Sequence, residues 1–377
     1  MEKTFSQFEL APFLEKALQK MNITTPTEIQ QEAIPKILQG DAVVGRSKTG
    51  SGKTLAYLLP LLTTLDENNK ELQGLILAPT HELAMQIYRV LEELVAETNI
   101  NIDVFIGSAN IKRQLEKLKK QKPQVIVGTP GRVLELAQQK KLKVHQSKMV
   151  VIDEADRMLQ ERETRQAFIE ISKRMDKETN YMFFSATIPN GLKEDIEALI
   201  RSEVTLVSSD EKLETEKVEH LFIKCEERDR VDTARRLVHS LKIKRGIIFV
   251  NHLDKVEETT KKLQYKGLKA ASLSSDSDKH QRAKVMQQFH NGEVEVVVAS
   301  DIAARGLDVE DVTHIINLHP PVDKDAYVHR AGRTGRMGKT GEVITLVTHK
   351  EFFIIDKFQK QLQIKMTEKE LAFGKLR

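Results

Sequence analysis

Cysteine is almost missing from this 377-residue chain: the single Cys225 excludes an internal disulfide and a cysteine-built metal centre. It follows His220-Leu221-Phe222-Ile223-Lys224, which reads as a strand, so a packed thiol is expected there. No apolar run reaches membrane-spanning length, and Met1-Glu2-Lys3-Thr4-Phe5-Ser6 lacks the apolar core of an export signal. Short-period repeats and low-complexity tracts are absent too. These absences point to a soluble protein in a reducing compartment, the cytoplasm, with no membrane partner.

What is present is ample for two domains: 40% hydrophobic and 30% charged residues over a length that exceeds one ordinary core. The net charge of +4 suits an acidic partner without specifying one. Short β-rich runs alternate with amphipathic helical stretches throughout, the pattern of parallel α/β domains. In the first half strands are expected at Asp41–Gly45, Gly74–Ala78, Ile102–Phe105, Val125–Gly128, Val150–Ile152 and Tyr181–Ser185. In the second they are expected at Leu221–Lys224, Gly246–Val250, Ala270–Leu273, Val294–Ala299, His314–Leu318 and Val343–Thr348. Helices are expected at Thr54–Leu65, Glu82–Thr98, Arg230–Leu241, Val256–Tyr265 and Gln281–His290. The polar stretch 209–217 reads as a linker between domains 1–208 and 218–377. The cations Lys112, Arg113, Lys117, Lys119, Lys120 and Lys122 crowd one helical stretch, read first as a solvated face and second as an RNA contact. The chain stops soon after a helix expected near Lys350, so no basic tail is expected.

The segment Ser47-Lys48-Thr49-Gly50-Ser51-Gly52-Lys53-Thr54 lies between a strand and a helix. Its glycines let backbone N–H groups turn inward around phosphate oxygens, and the helix N-terminus faces the same anion. Lys53 then reaches the β- and γ-phosphates, and the Thr54 hydroxyl holds Mg²⁺. A second carboxylate at the end of a hydrophobic strand completes such a site, and Val150-Val151-Ile152-Asp153-Glu154-Ala155-Asp156 supplies it. Asp153 is placed for the metal and Glu154 for the attacking water. Asp156 reads alternatively as a helix cap.

Asp153 to Asp156 spell Asp-Glu-Ala-Asp, and nearly the whole chain resembles the DEAD-box ATP-dependent RNA helicases, with motifs in family order. The resemblance implies two tandem RecA-like parallel-sheet domains, the P-loop NTPase core of superfamily two helicases, in a minimal bacterial-like form. It implies that Pro26-Thr27-Glu28-Ile29-Gln30 is the Q motif, with Gln30 reading adenine and Phe5 as its upstream aromatic. An amide suits that task because it carries both donor and acceptor. Asn22 and Ile23 stand where the family has glycine and an aromatic, so aromatic stacking on adenine is lost and a modest ATP affinity is expected; Ser47 stands where the loop usually has glycine or a small residue.

By the same resemblance, Ser185-Ala186-Thr187 couples the ATP site to strand separation by bonding to the Asp153–Asp156 segment. In Tyr327-Val328-His329-Arg330-Ala331-Gly332-Arg333-Thr334-Gly335-Arg336, Arg333 and Arg336 correspond to the arginines that reach the γ-phosphate; His329 and Arg330 serve coupling. Guanidinium groups so placed stabilise developing charge. Asp308 would touch the ribose, while Ser300, a replacement for threonine, and Arg305 lie on the RNA or interdomain side. Pro79 and Thr80, Gly107, and Thr129, Gly131 and Arg132 resemble RNA-contacting segments that grip one strand through its backbone and 2′-hydroxyls. His81, Ser108, Ser274-Ser275, Lys279 and Ala331 depart from the family on this surface, bearing on RNA affinity and coupling more than on hydrolysis.

The implied activity is RNA-stimulated hydrolysis of ATP to ADP and phosphate, coupled to local remodelling of single-stranded or short duplex RNA or of RNA–protein complexes. An rRNA substrate, ribosomal or ribonucleoprotein partners, a role in ribosome biogenesis and a monomeric state are expected. Two rival readings are an ATP-gated RNA clamp with slow turnover and a DNA-translocating relative.

Overall fold

The computed structural model describes residues 4–47, 50–107, 109–209, 218–273, 279–301, 312–335, 339–372 and 375–377. The chain divides into two compact units, Met1–Glu211 and Lys212–Arg377. Apart from Ser209, the expected linker lies outside the described residues.

The first unit is built on seven strands: β1 (Val43–Arg46), β2 (Gly74–Leu77), β3 (Ile102–Phe105), β4 (Val125–Gly128), β5 (Met149–Asp153), β6 (Asn180–Ser185) and β7 (Thr205–Ser208). They lie in the order β3-β4-β2-β5-β6-β1-β7, each parallel to its neighbours. Every residue of β2, β4 and β5 is buried, which is why these strands are continuous apolar runs rather than alternating ones. Alternate side chains enter separate cores. Ile76, Val127 and Val151 join the cluster containing the helices Glu28–Leu38 and Lys53–Thr63, while Leu75, Leu77, Ile126 and Val150 join the one containing Phe168 and Ile171. Each such side chain contributes about 1.5–3 kcal/mol by leaving water.

The second unit has β8 (Val218–Lys224), β9 (Gly246–Phe249), β10 (Ala270–Leu273), β11 (Val296–Ala299), β12 (His314–Asn317), β13 (Gly341–Val347) and β14 (Thr367–Glu368). Their order is β10-β11-β9-β12-β13-β8-β14, again all parallel. Counting from its own first strand, this is the order of the first sheet. A short antiparallel pair, β15 (Leu371–Ala372) and β16 (Lys375–Leu376), follows.

One strand of each large sheet escaped the sequence reading. Strand β7 is a four-residue edge strand whose Leu206 is half exposed, and β14 is two exposed residues; neither carries a hydrophobic run. Cys225 packs at the margin of the second core, and burial raises its thiol above the ordinary range, in keeping with a packed role.

Buried polar groups add a pH dependence to the second unit. His220 on β8 is buried, with Nδ1 2.7 Å from the Tyr327 hydroxyl, and burial lowers its pKa to about 4 from 6.5. As pH falls, the unfolded chain takes the proton first. The contribution is therefore whole above the unfolded pKa and is lost as pH falls towards the folded one. Between about pH 7.5 and about pH 5 the loss is about 2 kcal/mol. His314 and His319, also lowered chiefly by burial, act in the same direction, whereas Tyr327 is raised and does not titrate here. Urea unfolding of His220→Gln at the two pH values should show a loss smaller by about that amount. An unchanged pH slope would remove His220 from this role.

Candidate functional site

Apart from Phe5 and the segment with Gln30, which precede β1, the candidate segments of the first unit sit at the carboxyl ends of its parallel strands, where α/β sheets place ligand sites. The sheet order sorts them. Strands β5, β6 and β1 are consecutive and carry the phosphate loop, Asp153 and Ser185; β3, β4 and β2 are consecutive and carry Gly107, Thr129 and Pro79-Thr80.

Ser47 leaves β1 with its N–H donating to the Ser185 carbonyl at 3.0 Å and its hydroxyl bonded to that of Ser209 at 2.7 Å. Lys48 and Thr49 lie outside the described residues. Gly50 and Gly52 have φ of +85° and +92°, a left-handed conformation that L side chains adopt at a cost. Gly52 is also the N-cap of the helix Lys53–Thr63, and a Cβ there would run into the Gln30 amide. Lys53 donates to the Ser47 carbonyl, folding its ammonium back over the loop. Ser51 is nearly buried, and Thr54 occupies the second position of the helix.

Gln30 is buried and spans two elements: its Oε1 accepts from Thr27 N–H at 2.9 Å and its Nε2 donates to the Gly52 carbonyl at 3.0 Å. One lone pair and one N–H of the amide are not used by these two bonds. Phe5 packs edge-on against Phe8, ring centroids 6.1 Å apart, inside the first core. Asn22 has φ +57°, a region that asparagine tolerates better than most residues, and Ile23 packs against the same core.

Asp153, the last residue of β5, is buried; Tyr57 donates to its Oδ2 at 3.0 Å and Glu154 N–H to its Oδ1 at 2.9 Å. Burial raises the Asp153 carboxyl, opposed chiefly by Lys53, and burial beside Asp153 raises Tyr57. Tyr57 was missed by the sequence reading. The available signal was a tyrosine hydroxyl one helical turn beyond Lys53 within the apolar run Leu55–Leu62, since a buried tyrosine O–H finds a partner. Glu154 has φ +48°, a strained conformation for a non-glycine residue. Asp156 is buried, accepting from Arg157 N–H at 2.8 Å and from the Thr187 hydroxyl. Thr187 N–H in turn donates to the Ser185 hydroxyl at 3.4 Å.

On the other half of the edge, Thr80 caps the helix His81–Val95, its hydroxyl accepting from Leu83 N–H at 3.2 Å. Thr129 precedes the helix Pro130–Gln138 and donates its N–H to the Phe105 carbonyl at 3.1 Å. Gly107 and Gly131 are exposed; a Cβ on Gly131 would meet nothing within 4 Å, and one on Gly107 would lie 3.6 Å from His81 Nε2. Arg132 is placed differently from a strand-gripping residue. Its guanidinium is buried and donates to the carbonyls of Gly107 (2.8 Å) and Ala109 (3.1 Å) and to Gln114 Oε1 (2.5 Å). It braces the loop after β3 instead of facing solvent. Ser108 lies outside the described residues.

In the second unit, Arg330 on the helix Lys324–Ala331 is fully buried beneath several strand ends. It makes a two-pronged pair with Asp301, 2.6 Å to each carboxylate oxygen, and donates to Asn251 Oδ1 (2.8 Å), Asn317 Oδ1 (3.1 Å) and the His319 carbonyl (3.2 Å). Ser300 and Arg333 are nearly buried, His329 is half-buried, and Arg333 N–H donates to the Arg330 carbonyl at 3.1 Å. Asp308, Arg305, Arg336 and Ser274-Ser275 lie outside the described residues, as does the Lys279 side chain. A second buried arginine, Arg230, was not singled out from the sequence; it donates to the Leu318 (2.7 Å) and Leu346 (3.1 Å) carbonyls and pairs with Glu351.

Residues 27–195 match the DEAD/DEAH box helicase family and residues 229–338 match the helicase conserved C-terminal domain. The chain is 43% identical over 366 residues to the DEAD-box ATP-dependent RNA helicase CshC of Bacillus cereus, covering 97% of this chain and 93% of that one. It is 36% identical over 352 residues to the DEAD-box ATP-dependent RNA helicase CshB of Bacillus subtilis, covering 92% and 79%. Among solved structures, S. cerevisiae Dbp5 bound to RNA and ADP BeF3 is similar, with a TM-score of 0.87, 30% identity and coverage of 97% and 95%. Mss116p bound to single-stranded RNA and AMP-PNP, at 22% identity and a TM-score of 0.84, shares the fold. Two parallel RecA-like sheets, a glycine-rich loop against a buried carboxylate, and these likenesses across nearly the whole length lead to one assignment: the chain belongs to the DEAD-box ATP-dependent RNA helicases.

Proposed function

We propose that this helicase binds ATP at the ends of β1, β5 and β6 and holds one RNA strand at the ends of β3, β4 and β2, remodelling short duplexes or RNA–protein complexes. The carrying observation is one hydrogen-bonded network. The phosphate loop bonds to the Ser185 carbonyl through Ser47, Thr187 bonds to the Ser185 hydroxyl, and the Thr187 hydroxyl bonds to Asp156. A displacement of the phosphate loop is thereby felt by the Asp153–Asp156 segment and by the strand carrying Ser185.

Lys53 and the backbone N–H groups at the start of its helix hold the phosphates. Thr54 and Asp153 would hold Mg²⁺: both offer hard oxygen donors, and a buried carboxyl raised by desolvation is one that a cation relieves. Held there, Mg²⁺ would supply neutralisation of phosphate charge. Glu154 orients and polarises the attacking water, and Gln30 selects adenine through its remaining donor and acceptor. Arg333 and Arg336 are assigned the developing phosphoryl charge. Arg132 acts through the loop it braces, and Thr80, Thr129, Gly107 and Gly131 present backbone and hydroxyl groups to RNA phosphates.

Steady-state ATP hydrolysis with single-stranded RNA, with matched DNA and with neither tests this reading. RNA should raise turnover at least tenfold and DNA should not, the 2′-hydroxyl being the discriminating group. RNA binding in the presence of ATP with turnover at background would instead indicate a clamp. The cellular setting we propose is the cytoplasm, with a monomeric enzyme acting on rRNA during ribosome assembly. Cross-linking in cells should recover rRNA, and recovery of mRNA alone would overturn that assignment.

A further inference from the structure

The helix Ile111–Gln121 stands apart in its charge. It carries Lys112, Arg113, Lys117, Lys119 and Lys120 against Glu116 alone, a formal +4 that equals the net charge of all 377 residues. Ile111, Leu115 and Leu118 pack inward against the second core of the first unit, so the cations occupy the outer face, and all five are exposed. Lys117 reaches Asp103 at 3.4 Å; among the described residues Lys112, Arg113, Lys119 and Lys120 make no ion pair. The other charge-rich helix, Asp254–Tyr265, behaves in the opposite way. Its Lys255, Lys261 and Lys262 are answered by Glu257 and Glu258 at 2.7–3.9 Å. Opposite charges three or four residues apart stabilise a helix; among the described residues Ile111–Gln121 makes no such pair within itself.

Its position gives the charge a direction. The helix begins directly after Gly107 and Ala109, at the end of β3, the strand beside β4 and β2. Arg132, from the segment that follows β4, ties the helix to that edge by bonding at once to Gly107, Ala109 and Gln114 of the helix itself. An 11-residue helix spans about 16 Å, and its far end returns to the start of β3, where Asn101 donates to the Gln121 carbonyl at 2.9 Å, so the cationic face leads from that edge back along the sheet.

We propose that the outer face of Ile111–Gln121 is an auxiliary phosphate track that engages RNA continuing beyond the strand held at Gly107, Thr129 and Thr80. This inference rests on the placement of RNA at that edge. The recognised chemistry is the sugar-phosphate backbone, single-stranded or as the flank of a duplex, without base preference. Contacts of this kind release counterions, so they appear in the salt dependence of binding.

The test is fluorescence anisotropy of the full chain with a non-hydrolysable ATP analogue, using RNA strands of about 10 and about 40 nucleotides. The variants are Lys112→Ala/Arg113→Ala/Lys119→Ala/Lys120→Ala, whose alanines favour helix, and Glu116→Lys, which adds charge to the same face. The quadruple variant should bind the long strand about tenfold more weakly with the short strand nearly unchanged. Its salt slope on the long strand should fall by about 0.7 for each phosphate contact removed. Glu116→Lys should tighten only the long strand, by about two- to threefold. Equal affinities and slopes for wild type and quadruple variant would overturn the track and leave this face to an acidic protein partner. Equal weakening on both lengths would also overturn it, since the helix would then support the primary edge. A wild type that binds neither strand would remove the underlying placement of RNA as well.

Discussion

Glu154→Gln is expected to lower RNA-stimulated ATP turnover by about 10²–10⁴-fold while leaving ATP and RNA binding within a few-fold of wild type. The substitution keeps shape and hydrogen-bonding reach and removes the carboxylate charge, and with it the ability to accept the proton of water and a 3.8 Å ion pair with Arg157. Binding should survive because the groups assigned to phosphate and metal are others: Lys53 at the loop, and Asp153, held by the Tyr57 hydroxyl and by Glu154 N–H, a backbone group that the change does not touch. The position also bears strain, since Glu154 holds φ +48° at the junction of β5 and the helix Ala155–Gln160. Strain of this sort, of order 1–3 kcal/mol, persists where the surroundings fix a side chain's aim. Single-turnover hydrolysis with saturating RNA separates the outcomes. Turnover within tenfold of wild type would place the base elsewhere, and a comparable loss of ATP affinity would make Glu154 a binding residue.

Arg330→Ala should destabilise the second unit by about 3–5 kcal/mol, the range for breaking a buried ion pair by deleting one partner. The loss is large because the guanidinium answers Asp301 with both prongs and simultaneously fills acceptors at the ends of β9 and β12. Removing it leaves the Asp301 carboxylate, 22% exposed, and Asn251 without these donors. Phe249 also loses the cation 5.0 Å above its ring. Arg330→Lys should recover only part of the stability, because one ammonium cannot satisfy a fork built for a planar group. Urea unfolding followed by a probe in the second unit measures the effect. A midpoint change equivalent to less than about 1 kcal/mol in the alanine variant would show that Arg330 is not the tie described. Because Arg333 follows on the same turn, ATP turnover should fall in parallel.

The parts of the fold and site that could be read in the sequence are those whose physics is local. Fully buried parallel strands must be apolar at every position, so β2, β4 and β5 were visible as runs, and a loop that wraps phosphate needs glycine at positive φ, so Gly50 and Gly52 were visible as spacing. Relations between distant residues were not visible. Nothing near Tyr57 in the sequence shows that its hydroxyl meets Asp153, 96 residues away. By resemblance Arg132 was expected on RNA and Arg330 in coupling; only the tertiary structure shows them turned inward on carbonyls and on Asp301. Edge strand β7 escaped because a strand buried on one side and half-exposed needs no hydrophobic run.

The repeated strand order carries a consequence for stoichiometry. Strand β8 occupies in its sheet the place β1 holds in the first, and each is followed by a short loop and a helix, Lys53–Thr63 after β1 and Arg230–Ser240 after β8. The equivalent corners have opposite chemistry. One turns glycines towards an anion; the other presents Glu226, Glu227 and Asp229, and its first helical residue is an arginine turned inward to Glu351. A triphosphate is attracted to the first corner and repelled at the second. Of two sheets with the same strand order, the glycine-rich loop belongs to the first, so the proposed ATP site predicts one nucleotide bound per chain rather than two.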